Sequence, residues 1–265
     1  MGGEKKAIIG KGGWDPKQYH RFGDLRLRPA LDLLAMVSLD NPQTVVDMGC
    51  GVGDITGYLR ERWPQAEIMG VDNSKEMLER AKALSLDVEW NEQDVVDWKP
   101  DVPVDLIYSN AALHWLGDHA TLFPRLIKCI KPGGVLAVQM PRNFSAPSHQ
   151  LMYKVSAEGP WAGRLENLHS QSPVETPAFY HQLLSDKVAR LDIWETEYLQ
   201  ILEGENPVAE FTKGSWLKPM LDALEEPEKS EFERAYRKKI LEAYPPQPDG
   251  RTLFPFRRLF LIAVV

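Results

Sequence analysis

The residues best equipped for chemistry lie in one short stretch, Val45-Val46-Asp47-Met48-Gly49-Cys50-Gly51-Val52-Gly53-Asp54. Glycines at this density let a backbone turn and approach a ligand without Cβ clash, and a helix starting just beyond offers unpaired N–H groups. The stretch reads as a cofactor loop. A dinucleotide fingerprint requires Gly-x-Gly-x-x-Gly/Ala, whereas position 54 is Asp and the third glycine comes one residue early, at Gly53. A pyrophosphate is therefore the poorer fit. Asp72 ends the run Ile68-Met69-Gly70-Val71, and its two acceptor oxygens suit the paired hydroxyls of a ribose. Further on, Gln93-Asp94-Val95 offers a carboxylate for an adenine amino group and a backbone N–H for a ring nitrogen. Taken alone, Asp94 is equally a helix cap or a solvated loop acid.

These groups converge only if strands end at each of them. Thr44–Met48, Glu67–Val71, Val88–Trp90, Val104–Ser109 and Gly134–Gln139 read as strands. Helices are expected over Ile55–Trp63, over Lys75–Ser85 behind the N-cap Ser74, and over Leu122–Ile130, the last stopped by Lys131-Pro132-Gly133-Gly134. Strands alternating with helices predict a doubly wound, mostly parallel α/β sheet with helices on both faces. After Met140-Pro141 the character changes. A helix is expected over Ala178–Ser185, a strand over Val188–Leu202, a long helical pattern over Phe211–Tyr244 interrupted by Pro219 and Pro227, and a terminal strand over Arg257–Val265 paired with 188–202. The seven strands would form a single domain over 14–265, behind a flexible tail at 1–13. Segments of about 142–177 and 204–255 would be inserted over the strand ends as a helical lid.

Composition narrows the function. Lys plus Arg number 31 against 38 Asp plus Glu, a net charge of −7, which argues against a protein built to bind nucleic acid backbone. No run approaches the roughly 20 apolar residues of a membrane span. The two cysteines, Cys50 and Cys129, belong to no Cys/His cluster, so neither a disulfide scaffold nor a metal site is expected, and a cytoplasmic setting fits. Ile8-Ile9-Gly10-Lys11-Gly12-Gly13 resembles a GXXG nucleic-acid loop but lacks the surrounding elements, and Asn143-Phe144-Ser145 is a glycosylation sequon with no secretion signal before it.

Together, Asp47-x-Gly49-x-Gly51-x-Gly53, Asp72, Gln93-Asp94 and Ser109-Asn110 resemble the class I S-adenosylmethionine-dependent methyltransferases over roughly 40–141. More narrowly, the chain is similar to the branch that methylates trans-aconitate. That similarity rests on Trp14-Asp15-Pro16-x-x-Tyr19, Arg28-Pro29-Ala30, Ala111-x-Leu113-x-Trp115-Leu116-x-Asp118-His119, Gly134–Pro141 and Phe256-Arg257-Arg258-Leu259-Phe260. The resemblance implies a Rossmann-like methyltransferase fold that takes S-adenosylmethionine and releases S-adenosylhomocysteine. Asp47, Gly49 and Gly51 would line the methionine end and Asp72 would hold the ribose. Gln93, Asp94 and Val95 would surround the adenine with Asn73 and Met77 nearby, and Asn110 and Ala111 would flank the sulfonium. Tyr19, Phe22 and Arg28 would close over the amino acid portion, with Arg28 a partner for its carboxylate.

Methyl transfer to a carboxylate needs no general base, because the acceptor is already ionised at pH 7. That agrees with the absence of a Ser/His/Asp or Cys/His constellation. A small polycarboxylic acid does need cations and donors for its other carboxylates. The candidates are His20, Arg21, His114, Trp115, Gln139, Arg142 and Arg257, with Tyr153 and Trp216 on the expected lid. Trp115 could equally be core packing and His114 a satisfied loop histidine. Arg257 and Arg258 are adjacent, so at most one of them faces a site if the terminal strand forms. Other readings are a different small acceptor, an acyl-carrier-bound acid, a non-catalytic cofactor binder, or a nicotinamide-binding protein.

Overall fold

The computed structural model describes residues 23–168 and 174–265. The expectations for Tyr19, His20, Arg21 and Phe22 and for the tail lie outside them. The chain divides into two compact units. Of the described residues, the sheet unit comprises 27–141, 174–196 and 258–265, and the helical unit 23–26, 142–168 and 197–257.

In the sheet unit, α1 (Gly23–Ala35), which starts in the helical unit's share of the chain, precedes β1 (Thr44–Met48), α2 (Asp54–Arg62), β2 (Glu67–Asp72), α3 (Lys75–Lys82), β3 (Glu89–Glu92) and β4 (Val104–Asn110). There follow α4 (His119–Ile127), β5 (Ile130–Pro141), then α7 (Pro177–Leu184) beyond α5 (Pro147–Glu158) and α6 (Ala162–Leu165), and finally β6 (Arg190–Leu202) and β7 (Thr252–Val264), of which 197–202 and 252–257 fall in the helical unit's share. The sheet order is β3-β2-β1-β4-β5-β7-β6. The first five strands are parallel and β7 runs antiparallel to β5. The near-continuous burial of β1 and of β4 is what a parallel sheet covered on both faces requires. The strand reversal falls between β1 and β4, each of which connects to a helix on its own side, and open α/β sheets bind ligands at that crevice.

The amino-terminal edge of the sheet is pinned by Asp105. Its Oδ2 accepts from the Gln43 and Thr44 N–H groups and from Thr44 Oγ1, and lies 2.8 Å from Lys131 Nζ. Burial pushes this carboxyl up, but the Lys131 and Thr44 contacts outweigh it and hold it below the usual range. The opposite, carboxyl end carries the glycine loop.

Several boundaries differ from the sequence expectations. The helix expected over Leu122–Ile130 starts earlier, at His119 behind the N-cap Asp118, and ends at Ile127. Lys131-Pro132-Gly133-Gly134 lies inside β5 as a bulge, because the register with β4 jumps from Val104↔Ile130 to Leu106↔Val135. Gly133 takes φ +82° there and donates to Val265 O, so pairing across the bulge replaces the helix stop. β7 begins five residues before Arg257, at Thr252.

The helical unit holds α5, α6, α8 (Pro207–Lys213), α9 (Lys218–Asp222) and α10 (Glu228–Ala243). The expected long helix is thus three, since each of α8 and α9 has Pro in its first turn and Pro227 precedes α10. Proline is tolerated only where no intrahelical N–H is needed. Phe232, Tyr236 and Ile240 recur along α10 at helical spacing, and they bury against Met152, Val155 and Trp161.

Candidate active site

The glycine loop is shaped by local sterics. Gly49, Gly51 and Gly53 all have positive φ, at +76°, +55° and +82°. Gly49 sits so close to the turn after β4 that a Cβ would lie 2.2 Å from Ala112 Cβ. At Gly53, the N-cap of α2, a Cβ would lie 2.8 Å from the Trp90 ring. Only glycine fits either place. In front of Gly51 the space is open, with no atom within 4 Å of where a Cβ would be, which is what close approach of a ligand to backbone requires.

Asp72 joins the loop to the next helix. Its Oδ2 accepts from Gly51 N–H and its Oδ1 from Ser74 N–H, both at 2.9 Å. Burial raises its pKa, and the N–H groups of Ser74, Gly51 and Asn73 oppose the rise. Three N–H donors on the carboxylate's four lone-pair positions leave one for a hydroxyl donor. Ser74 in turn caps α3 by accepting from the N–H of half-buried Met77.

Asp47, 2 % exposed, accepts from Thr56 Oγ1 at 2.6 Å. Burial pushes its pKa up to about 7; the Thr56 hydroxyl opposes that and the Asp72 charge adds to it. Neither Asp47 nor Asp72 has a cationic partner among the described residues. A buried Asp47 and a half-buried Asp72 thus give this strand end an attraction for positive charge. Thr56 was not singled out in the sequence; its helical spacing from the loop glycines was the available signal.

Past β3, Gln93 N–H donates to Asp72 O, tying the third anchor to the second. Asp94 Oδ1 accepts from Val96 N–H and so closes a turn, and Val95 O accepts from Arg125. At the end of β4, Asn110 is in register with Gln139 of β5. Ala111 follows at φ +52°, and its N–H donates to Gln139 O. A non-glycine residue in that region is strained and marks a turn held from outside. The next turn, Leu113–Trp115, is fixed by His119: its Nε2 lies 3.0 Å from Leu113 O and its Nδ1 2.6 Å from Tyr180 Oη. Burial lowers the His119 pKa, so the neutral ring donates to Leu113 O and accepts from Tyr180. His114 is buried and its ring lies 4.5 Å from that of Trp115. Arg28, on α1, is 76 % exposed at its side chain and 3.9 Å from Asp32.

The remaining candidates belong to the helical unit. Arg142 follows β5 directly, and its N–H donates to Arg257 O. Arg257 is exposed, 3.8 Å from Glu197. Trp216 meets Phe144 edge-on at 4.9 Å, and Tyr153 packs on the helical core. In the sheet unit it is Arg258, not its exposed neighbour, that is buried, with Nη1 donating to Gln139 Oε1 at 3.3 Å. The adjacent pair showed that the two would part; pairing with β5 decides which goes inside.

The strand order, the glycine loop and the acidic end of β2 together form the arrangement of the methyltransferase class. Residues 45–134 match the family described as "Methyltransferase domain". The fold resembles that of the YcgJ protein from Bacillus subtilis (TM-score 0.57, 14% identity, 89% of this chain and 98% of that one). It also resembles Haemonchus contortus phosphoethanolamine N-methyltransferase 2, solved with S-adenosyl-L-methionine (TM-score 0.53, 16% identity, 89% of this chain and 52% of that one). In sequence, the chain is 49% identical over 251 residues to trans-aconitate 2-methyltransferase from Azoarcus sp. strain BH72, covering 95% of this chain and 98% of that protein. The chain belongs to the trans-aconitate 2-methyltransferase family. Among the described residues, no helix is long and apolar enough to cross a membrane, and no group of His, Cys, Asp and Glu could hold a metal.

Proposed function

We propose that this protein transfers the methyl group of S-adenosylmethionine to a carboxylate oxygen of trans-aconitate, forming a methyl ester. The observation that carries this reading is the nearly end-to-end match to trans-aconitate 2-methyltransferases, on a strand end whose donors and acceptors suit the cofactor. When bound, the cofactor supplies an electrophilic methyl on a sulfonium. Asp72 would accept from the ribose hydroxyls, with Asn73, Met77, Gln93, Asp94 and Val95 around the base. Asp47, Gly49 and Gly51 would hold the methionine end, where an ionised Asp47 favours a cation. Arg28, with Tyr19 and Phe22, would close over that end.

Asn110 and Ala111 would border the reacting centre. The chain's task in an in-line displacement is to align acceptor oxygen and methyl carbon and to exclude water, and no residue needs to remove a proton. His20, Arg21, His114, Trp115, Gln139, Arg142, Tyr153, Trp216 and Arg257 are the proposed acceptor contacts, with 142–177 and 204–255 as the lid. Two unbridged, buried cysteines support a reducing, cytoplasmic setting, and the acidic balance supports a small-molecule acceptor over nucleic acid.

The test is incubation with methyl-labelled S-adenosylmethionine and a panel of di- and tricarboxylic acids. Base-labile label on trans-aconitate is the expected result. Base-stable label, or none on any acid, overturns the reading.

A further inference from the structure

Three neighbouring strands of the sheet unit carry amide and guanidinium side chains near the end where an α/β sheet binds its ligands. Asn110 and Gln139 are register partners on β4 and β5, so their side chains share one face of the sheet. Arg258 lies on β7, opposite Pro141 and two residues from the partner of Gln139, and its contact with Gln139 Oε1 puts it on that face as well. Gln139 is fully buried and Arg258 is 3 % exposed. With its carbonyl engaged by Arg258, Gln139 has Nε2 left buried without a hydrogen-bond partner, and Asn110 Oδ1 is in the same condition.

Unmet polar atoms are expensive inside a protein, and each calls for an explanation. Leucine or methionine at position 139 would fill the same space without that cost. A guanidinium fork with an amide donor beside it forms the donor set that a planar carboxylate accepts. At about 4.8 Å between strands, β4 to β7 spans about 10 Å. That separates a carboxylate reacting beside Asn110 from a second one held at Arg258.

We infer that Arg258, positioned by Gln139, grips a non-reacting carboxylate of the acceptor and is the residue that selects polycarboxylic acids. This rests on the proposed function, with buried Arg258 taking the place proposed there for its exposed neighbour Arg257.

The experiment compares kcat/KM for trans-aconitate with that for dicarboxylates lacking one of its carboxylates, itaconate and mesaconate, in the wild type, R258Q, R258K and Q139L. Binding of S-adenosylhomocysteine is measured alongside as the check on folding. In R258Q the wild-type preference for trans-aconitate is expected to fall by about 100-fold, mainly through KM. Q139L and R258K should lose about 10-fold, since one keeps the charge without its donor neighbour and the other keeps the charge without the fork. Cofactor-product affinity should stay within about threefold in each, as expected for sites this far apart in role. An R258Q that binds S-adenosylhomocysteine normally and keeps the wild-type preference overturns the inference. If R258Q fails to bind it, R258K decides, and a wild-type KM for trans-aconitate in R258K is equally fatal. A wild type that methylates none of the acids is a different failure, that of the proposed function itself.

Discussion

Acidic side chains of the helical unit and those at the carboxyl end of the sheet are neutralised in different ways. In the helical unit they meet cations: Glu210 pairs with Arg237, Glu233 with Lys213 at 2.6 Å, Glu228 with Arg164 at 2.8 Å and Glu158 with Lys239 at 3.5 Å. In the sheet unit Asp47 and Asp72 are held by a hydroxyl and by backbone N–H groups. One unit uses charge to tie helices together; the other keeps unneutralised carboxylates at the end of a sheet, where a cationic ligand lowers their cost. Buried polar groups follow the same division. Tyr236 and Tyr244 of the helical unit bond Ser148 O and Ser148 N–H, and Thr212 bonds Tyr236, whereas Asn110 and Gln139 of the sheet unit keep unmet atoms. Gln200 of the helical unit departs from this, with both amide atoms buried and without hydrogen-bond partners, and nothing in the structure explains it.

The largest test of this contrast is acid. Asp47 has its folded pKa raised to about 7, so the folded state binds the extra proton between its ordinary range and pH 7. Its contribution is present at low pH and is lost as pH rises through 7. His149 of the helical unit is driven down to about 4 by burial, so the unfolded state binds the extra proton and stability is lost as pH falls from 6.5 toward 4. Between pH 6.5 and 4 the two groups therefore act in opposite directions, by on the order of 3–4 kcal/mol each. Hydrogen exchange should show amides of α5 and α10 losing protection on acidification while those of β1 and β4 keep or gain it. D47N should remove the sheet's response and H149F the helical one. Equal slopes in both units would break the contrast. Affinity for the cationic cofactor should decline below pH 7 in the wild type and be flat in D47N.

Gly49→Ala comes next, because its Cβ meets Ala112 in a left-handed turn. About 3 kcal/mol of stability should be lost on denaturant unfolding, along with cofactor binding. Asp72→Ala should leave the fold intact and weaken S-adenosylhomocysteine about 100-fold by calorimetry, the worth of two charge-assisted hydrogen bonds; unchanged affinity removes Asp72 from the ribose role. Tyr236→Phe sharpens the comparison from the other side. It should cost about 1–2 kcal/mol by chemical denaturation with no change in calorimetric cofactor affinity. The smallest effect belongs to Lys218→Ala, whose i,i+4 pair with Asp222 should be worth about 0.5 kcal/mol or less in the same unfolding assay.

Much of the sheet unit was legible because its signals are local. The apolar run Val45-Val46, the glycines after it, Ser74 ahead of α3 and Asp72 closing β2 are each read within a few residues, and each appears where its spacing put it. Asp94 was ambiguous and closes a turn, the ordinary role of a loop acid. Lys131-Pro132-Gly133-Gly134 carried a helix-stop signal and was overruled by strand pairing, since proline has no N–H to lose at a bulge. The helical unit gave weaker signals. The 211–244 pattern holds helical spacing throughout, and only the prolines at the helix starts and the packing of three helices on one core set the breaks.

From its own residues the chain determines where it must turn, which stretches alternate and which carboxylates end strands, because steric limits on φ and the period of side-chain burial act between neighbours. Which of two adjacent arginines goes inside, and that Thr56 meets Asp47, were decided only by tertiary structure. The face β7 turns toward β5 and the angle at which α2 leaves its loop are set by contacts between segments far apart in the chain, and no local preference encodes them.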